Sequence, residues 1–310
     1  MIGFTSALVT GATGFIGSAL VRRLADEGIK VYCIVRPHSA NLSRLTSISG
    51  IELVEVQSFH VSELQRALAG ISADVVFNLA SYGVDQKDRD PEAMLEGNAN
   101  LVARLLLATA DWPLKWFIHT GSCFEYGLTS ISEPISEDMQ VQPASLYGSA
   151  KAASVIYGNA LAAQLGIPFV TLRLFGVFGT GEAPHRLIPY MIEHLTHDEI
   201  VDLTPGGQVR DLIYVDDAAE AFLMAGQCNQ LAPYTVYNIC SGQPISIQDV
   251  AEVVADVMDK PRSLLHFGKR SYRPDEAMWI VGDNHRFKAA TNWQPKVSIR
   301  EGIQRMVAVS

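Results

Sequence analysis

The sequence predicts an α/β fold, a doubly wound parallel sheet with a smaller, mixed α/β lobe following it. Three observations carry that expectation. An apolar run from Ala7 to Val9 breaks into Gly11, Gly14 and Gly17 at three-residue intervals, then becomes a helix-period pattern with Leu20 and Leu24 apolar and Arg22, Arg23, Asp26 and Glu27 polar. Short β-branched runs alternate with helical stretches as far as Leu174. Beyond that point the alternation loses regularity, which divides the chain into a dinucleotide-binding domain at 1–175 and a mainly substrate-binding lobe at 176–310, interleaved with the first.

Composition narrows the class. The 310 residues are 48% hydrophobic and 18% charged, the balance of a compact chain rather than a disordered one. A formal charge of −9 and a pI near 5.4 argue against a nucleic-acid binder, which needs an excess of Lys and Arg. Cys33, Cys123, Cys228 and Cys240 show no CxxC or Cys/His ligand spacing, so the expectation is reduced thiols, no metal and a cytoplasmic setting. The first apolar stretch has no basic segment before it and is closed by Arg22 and Arg23. Neither a signal peptide nor a membrane span is expected.

In chain order, Gly11 permits a sharp turn, Gly14 keeps side chains away from a pyrophosphate, and Gly17 lets the helix lie close. The helix N-terminus then offers N–H groups and a positive dipole end, so Gly11, Thr13, Gly14, Phe15, Ile16 and Gly17 form a phosphate cradle. Gly28 stops the helix and Lys30 to Val35 is the second strand. NAD-binding folds carry an acidic residue roughly twenty residues past the glycines. Here Val35 and Arg36 stand instead, with Ser39 and Arg44 nearby, which favours NADP(H) over NAD(H) through Arg36 and, secondarily, Ser39 or Arg44. The other reading of Arg36 is a solvated surface charge.

Glu52 to Val56 is a third strand, and Ser62 to Ala69 a short helix with Ser62 as cap and Gln65 three residues on. Asp74 to Ala80 is a fourth strand whose end places Leu79 and Ala80 on the ligand side of the sheet. One helix is expected over Pro91 to Ala110, with Asn98 either a buried polar support or an exposed helical residue. Trp116 to Thr120 is a fifth strand running into Ser122. On the helix that follows, Tyr147 and Lys151 lie four residues apart and share a face. A phenol beside an ammonium suits acid/base chemistry, because the charge favours the phenolate.

The order of Gly11, Gly14 and Gly17, then Asn78-Leu79-Ala80, then Ser122 before Tyr126-Gly127, then Tyr147 and Lys151, resembles the extended short-chain dehydrogenase/reductases. More narrowly it is similar to their NAD-dependent epimerase/dehydratase branch, which acts on nucleotide-activated sugars, and the resemblance spans nearly the whole chain. It implies a Rossmann-type sheet and a homodimer formed through the Pro91 and Ser145 helices. Tyr147 would be the acid/base, Lys151 would lower its pKa and hold the nicotinamide ribose, and Ser122 would bond the reacting oxygen. The sugar dehydratases of this family place an Asp-Glu pair after that Ser or Thr. Cys123 and Phe124 stand there instead, which excludes dehydration and leaves both as substrate-site residues. Cys123 and His185 are only superficially like the proton-shuttling pair of the fucose-forming enzymes, and packing is the expected duty of both.

Phe169 to Leu174 is a sixth strand, Thr180 to Arg186 a mobile segment over the site, and Ile188 to Leu195 a helix. The resemblance makes Arg210 and Arg273 the pair that grips a nucleotide diphosphate, although either alone also fits a surface ion pair. Val236 to Ile239 and Leu264 to Phe267 are strands, and Ser246 to Met258, Phe287 to Ala290 and Ile299 to Val307 are helices. The resulting expectation is an NADP(H)-dependent reductase of a nucleotide-linked 4-keto-6-deoxyhexose, with no nucleic-acid or membrane partner. Its rivals are a C4 epimerase holding NAD, a reductase of a non-sugar carbonyl, and a non-catalytic NADP(H) sensor.

Overall fold

The computed structural model describes residues 3–39, 41–85, 88–128, 132–273 and 276–309. The chain begins β1 (Ser6–Thr10), α1 (Phe15–Asp26), β2 (Lys30–Val35), β3 (Ile51–Glu55), α2 (Val61–Ala67) and β4 (Val75–Asn78). It continues α3 (Pro91–Leu95), α4 (Leu101–Ala108), β5 (Trp116–Ser122), α5 (Leu146–Leu165), β6 (Phe169–Leu174), β7 (Gly176–Phe178) and α6 (Leu187–Thr196). Next come β8 (Val201–Asp202), β9 (Val209–Arg210), β10 (Leu212–Tyr214), α7 (Val215–Gln227), β11 (Thr235–Ile239) and β12 (Ile245–Ser246). The last elements are α8 (Ile247–Val257), β13 (Leu265–His266), β14 (Trp279–Ile280), α9 (His285–Thr291) and α10 (Ile299–Val307).

Seven strands form one parallel sheet in the order β11-β6-β5-β4-β1-β2-β3. The order reverses between β1 and β4, which opens a crevice at their C-terminal ends. Alternate residues supply two separate cores. Val9, Cys33, Phe77, Ile118 and Leu172 pack under α1 and α7, whereas Leu8, Ile34, Val76, Phe117 and Phe169 pack under α4 and α5. The edge strand β11 comes from the C-terminal half, with α7, Phe287 and Trp293 completing the first core. A third core joins α6, α8 and α10, and small pairings (β10 with β7, β13 with β8, and β12-β9-β14) build the lobe around it.

Two expectations about helices are corrected. The predicted Pro91 to Ala110 helix is interrupted by a π-helical turn over Glu96–Asn100, between α3 and α4. Asn98 sits inside it, buried, with its amide donating to the carbonyls of Met94 at 2.8 Å and Tyr82 at 2.9 Å. A single side chain taking up a helical carbonyl and a loop carbonyl accounts for the widened turn. Ser62 is not a cap: α2 starts one residue earlier, with His60 at its N-cap and no side-chain bond.

Candidate functional site

The glycine turn closes on the end of β4. Gly11 has φ +68°, and a Cβ there would lie 2.7 Å from the Ala80 nitrogen and 2.8 Å from the Leu79 carbonyl carbon. Only glycine meets both demands, and the same closeness brings Leu79 and Ala80 to the turn. Gly14 is the N-cap of α1, without a side-chain cap and without an acidic residue in the first turn. The leading N–H groups at Phe15, Ile16 and Gly17 therefore face the crevice with the dipole unopposed. A Cβ on Gly17 would collide with the Gly11 carbonyl oxygen, so its role is to admit the turn's own backbone. Thr13 and Ser39 bond through their hydroxyls at 3.0 Å, which docks the loop after β2 onto the turn. Arg36 is exposed at the end of β2, while Arg44 donates to the Gly181 carbonyl at 2.7 Å. An uncapped helix start behind a positive-φ turn fits a dinucleotide, whose pyrophosphate the N–H groups would hold.

At the end of β5 the chain turns through a one-turn 3₁₀ helix, Cys123–Glu125, capped reciprocally by Ser122 and Glu125. The Ser122 N–H donates to Glu125 Oε1 at 2.6 Å, and the Ser122 hydroxyl accepts from the Phe124 N–H at 3.3 Å. The other Glu125 oxygen takes a bidentate pair from Arg173 on β6, at 3.0 Å from Nε and 2.6 Å from Nη2. Both members of that pair are buried, and the guanidinium also lies 4.3 Å over the Tyr126 ring. The helix α5 starts at Ser145, whose hydroxyl accepts from the Gly148 N–H at 3.1 Å, and comes so close to the 3₁₀ turn that a Cβ on Gly148 would strike the Phe124 carbonyl.

This packing brings the predicted residues together. The side chains of Ser122 and Ser81 face the Tyr147 hydroxyl and act to lower its pKa, and its ring meets Phe124 edge-on with centroids 6.1 Å apart. Lys151 lies one turn further on, enclosed, with the Glu125 carboxylate among the charges acting on it. The expected lowering of the Tyr147 pKa by Lys151 is corrected. Burial dominates and pushes the phenol up to about 12, against the opposing effect of the Ser81 and Ser122 side chains. Burial also pushes Lys151 down to about 8, which weakens it as a source of positive charge.

The remaining candidates divide. Cys123 is buried among Tyr126, Ile135, Phe175, Cys240 and Ile280, and burial pushes its thiol up to about 12. His185 lies elsewhere, 2.9 Å from Asp85, so the two do not form a proton-shuttling pair. Arg210 faces Cys123 and Arg273, but its guanidinium is already bonded to the carbonyls of Val209 and Ala277 and to Glu276 at 2.5 Å. Arg273 is exposed, and the two residues that follow it lie outside the described ones. The segment read as mobile is tied to both sides of the crevice, through Arg44 to Gly181 and His185 to Asp85. Within it, burial pushes Glu182 up to about 7. Among the described residues, no group of three or more His, Cys, Asp or Glu is placed to hold a metal, and no helix is long and apolar enough to cross a membrane.

Sequence reasoning missed Ser81, Glu125, Arg173 and His119. The Ser122-Cys123-Phe124-Glu125 spacing is a capping-box signature and identifies Glu125. His119 and Arg173 carry another signal, a polar residue within an otherwise apolar strand. Ser81 reaches Tyr147 from a loop, and no local pattern marks it.

Comparison with known proteins places these features. CDP-abequose synthase of Salmonella typhimurium is 29% identical over 309 residues, covering 97% of this chain and 96% of that one. UDP-glucose 4-epimerase of Mycolicibacterium smegmatis is 28% identical over 312 residues, with 97% and 96% covered. The solved structure of Thermotoga maritima UDP-glucose 4-epimerase with UDP-glucose superposes with a TM-score of 0.87 at 26% identity, over 98% of this chain and 97% of that one. The sequence pattern of the NAD dependent epimerase/dehydratase family matches residues 7–240, from the first strand of the sheet to its last, and the chain belongs to that family.

Proposed function

We propose that the protein is an NADP(H)-dependent reductase of a nucleotide-linked keto sugar, a 4-keto-6-deoxyhexose. The observation that carries this reading is the Tyr147 hydroxyl facing the Ser122 side chain at the end of β5, on a helix that also buries Lys151. Ser122 Oγ and the Tyr147 hydroxyl both bond the carbonyl oxygen of the sugar, fixing the ketone's orientation. When bound, the nicotinamide supplies the hydride to the carbonyl carbon. Tyr147 gives its proton to the oxygen, and a phenol held protonated by burial suits that donor role. The Lys151 ammonium stabilises the resulting phenolate and holds the ribose hydroxyls, and the phenolate recovers its proton from solvent.

Dehydration has no acid/base pair to run on, since a thiol at about 12 and a phenyl ring follow Ser122. Phe124, exposed beside Tyr147, lines the sugar's side of the site, and Cys123 packs in the apolar cluster behind it. Arg273, with whatever Arg210 retains beyond its bonds to Glu276 and the main chain, grips the diphosphate. The CDP- and UDP-sugar names of the relatives support a nucleotide-sugar substrate. A homodimer formed through α3, α4 and α5 is part of the same proposal.

The test is NADPH consumption against a panel of 4-keto nucleotide sugars. Steady consumption with a reduced product is expected, and Tyr147→Phe lowers kcat by about 10²- to 10⁴-fold while cofactor binding persists. Isomerised sugar without net consumption overturns the reductase in favour of the epimerase. An output indifferent to Tyr147→Phe points to a sensor.

A further inference from the structure

A row of polar side chains crosses the sheet inside the α5-facing core, where apolar residues are the rule. Strand register sets Thr10 beside Asn78 and Asn78 beside His119, two residues beyond Leu8, Val76 and Phe117 of that core. Thr10, Asn78, His119 and Ser154 are all buried. The Ala80 N–H donates to Thr10 Oγ1 at 3.2 Å, and Thr10 Oγ1 donates to Asn78 Oδ1 at 2.7 Å. Asn78 Nδ2 meets His119 Nδ1 at 3.1 Å, and His119 Nε2 meets Ser154 Oγ at 2.8 Å. Ser154 Oγ then lies 2.6 Å from the Lys151 carbonyl.

The proton positions follow from that last contact. A carbonyl brings no proton, so the single hydroxyl proton of Ser154 goes to Lys151, and the proton between Ser154 and the imidazole must come from Nε2. His119 Nδ1 is then the acceptor for the Asn78 amide. Burial and the Lys151 charge disfavour a second proton on the ring. Every link is satisfied in one direction only, from the residue before Gly11 to the main chain of α5.

We propose that His119 is a positioning residue: as the neutral imidazole protonated on Nε2, it ties the strand end that carries the glycine turn to the Lys151 carbonyl, and so sets where Tyr147 and Lys151 stand relative to the cofactor. This rests on the reading of Tyr147 and Lys151 as the acid/base pair. The tie ends on main chain, so it fixes the height of the helix and leaves the Lys151 ammonium to do chemistry.

Nitrogen NMR of the full-length labelled protein reads the ring directly, with His119 assigned by its loss in His119→Gln. A protonated Nε2 and a bare Nδ1 are expected, and the opposite tautomer or a doubly protonated ring overturns the proposal. Kinetics read the consequence. Gln offers an acceptor and a donor in the places of Nδ1 and Nε2, and Leu offers neither. His119→Leu is expected to lower kcat by about 10- to 100-fold with the sugar KM within about twofold, and His119→Gln to recover to within about threefold of wild type. Should the Leu variant not fold, Ser154→Ala removes the last two links, from His119 and to the Lys151 carbonyl, and is expected to cost about tenfold in kcat. Equal kcat for Leu and Gln, an unchanged Ser154→Ala, or a loss confined to KM overturns the proposal. The tautomer is read without substrate, so a protein that turned over no sugar would refute the reductase reading while the ring's proton still decided this one.

Discussion

Lys151 is 1% exposed, and its burial has a consequence for stability that its catalytic reading does not require. With the native amine at about 8 and the unfolded one at 10.5, the unfolded chain holds more protons between those values. Stability from this group therefore rises with pH across that window, and the burial cost is fully present below it. In protein stripped of nucleotide, the unfolding free energy of wild type minus Lys151→Met should climb by about 2 to 3 kcal/mol between pH 7.5 and 10. Urea titrations at the two pH values measure it, and a flat difference would show that the amine is not buried as described. Where the proposed chemistry needs a particular side chain the sequence marks it: Ser122 by its place at the end of β5, Tyr147 and Lys151 by their four-residue spacing on α5. Groups that act by facing them are not marked in that way. Glu125 meets the Ser122 N–H through the local capping-box spacing, but its pair with the Arg173 guanidinium joins β5 to β6 and depends on sheet order.

Among the elements, strands read best because each is a short, nearly continuous apolar run. Lys30–Val35 and Phe169–Leu174 match their predicted limits, since a sheet buried on both faces leaves little room for polar residues inside them. The π-helical turn at Glu96–Asn100 was illegible, because the carbonyl that captures Asn98 belongs to Tyr82 in a different loop. The end of β2 carries an element-level prediction. Val35 is followed by an exposed Arg36 and by Ser39, which is already docked on Thr13. Without a carboxylate there, a 2′-phosphate meets no repulsion and one guanidinium. Arg36→Ala should weaken NADPH binding by about 10- to 100-fold and change NADH binding by less than about twofold, the difference a charged hydrogen bond supplies. Fluorescence titration with each cofactor checks it. Equal losses for both would assign Arg36 to the shared half of the nucleotide and remove the argument for NADP(H).

For the whole molecule, α5 poses the question of what covers its outer side. It runs 20 residues with one charged side chain, Lys151, which faces inward. Its outward positions include Leu146, Ile156 at 67% exposed and Tyr157 at 58%, and α3 and α4 beside it expose Leu95 and Leu107. A helix with so apolar an outer side is ordinarily covered, and in the proposed homodimer a second copy of the chain would cover it. Sedimentation should give twice the chain mass of 33.8 kDa, and Ile156→Arg with Tyr157→Glu should give the single mass with the fold retained. A monomeric wild type removes the homodimer from the proposal.

The edge strand β11 lies against β6, and Phe287 and Trp293 close the core beneath it. During translation, then, the main sheet cannot be complete when its first six strands have left the ribosome. It waits for residue 239 to pair with Leu174 and for the indole at 293 to arrive, so nearly the entire polypeptide must emerge before that core is sealed.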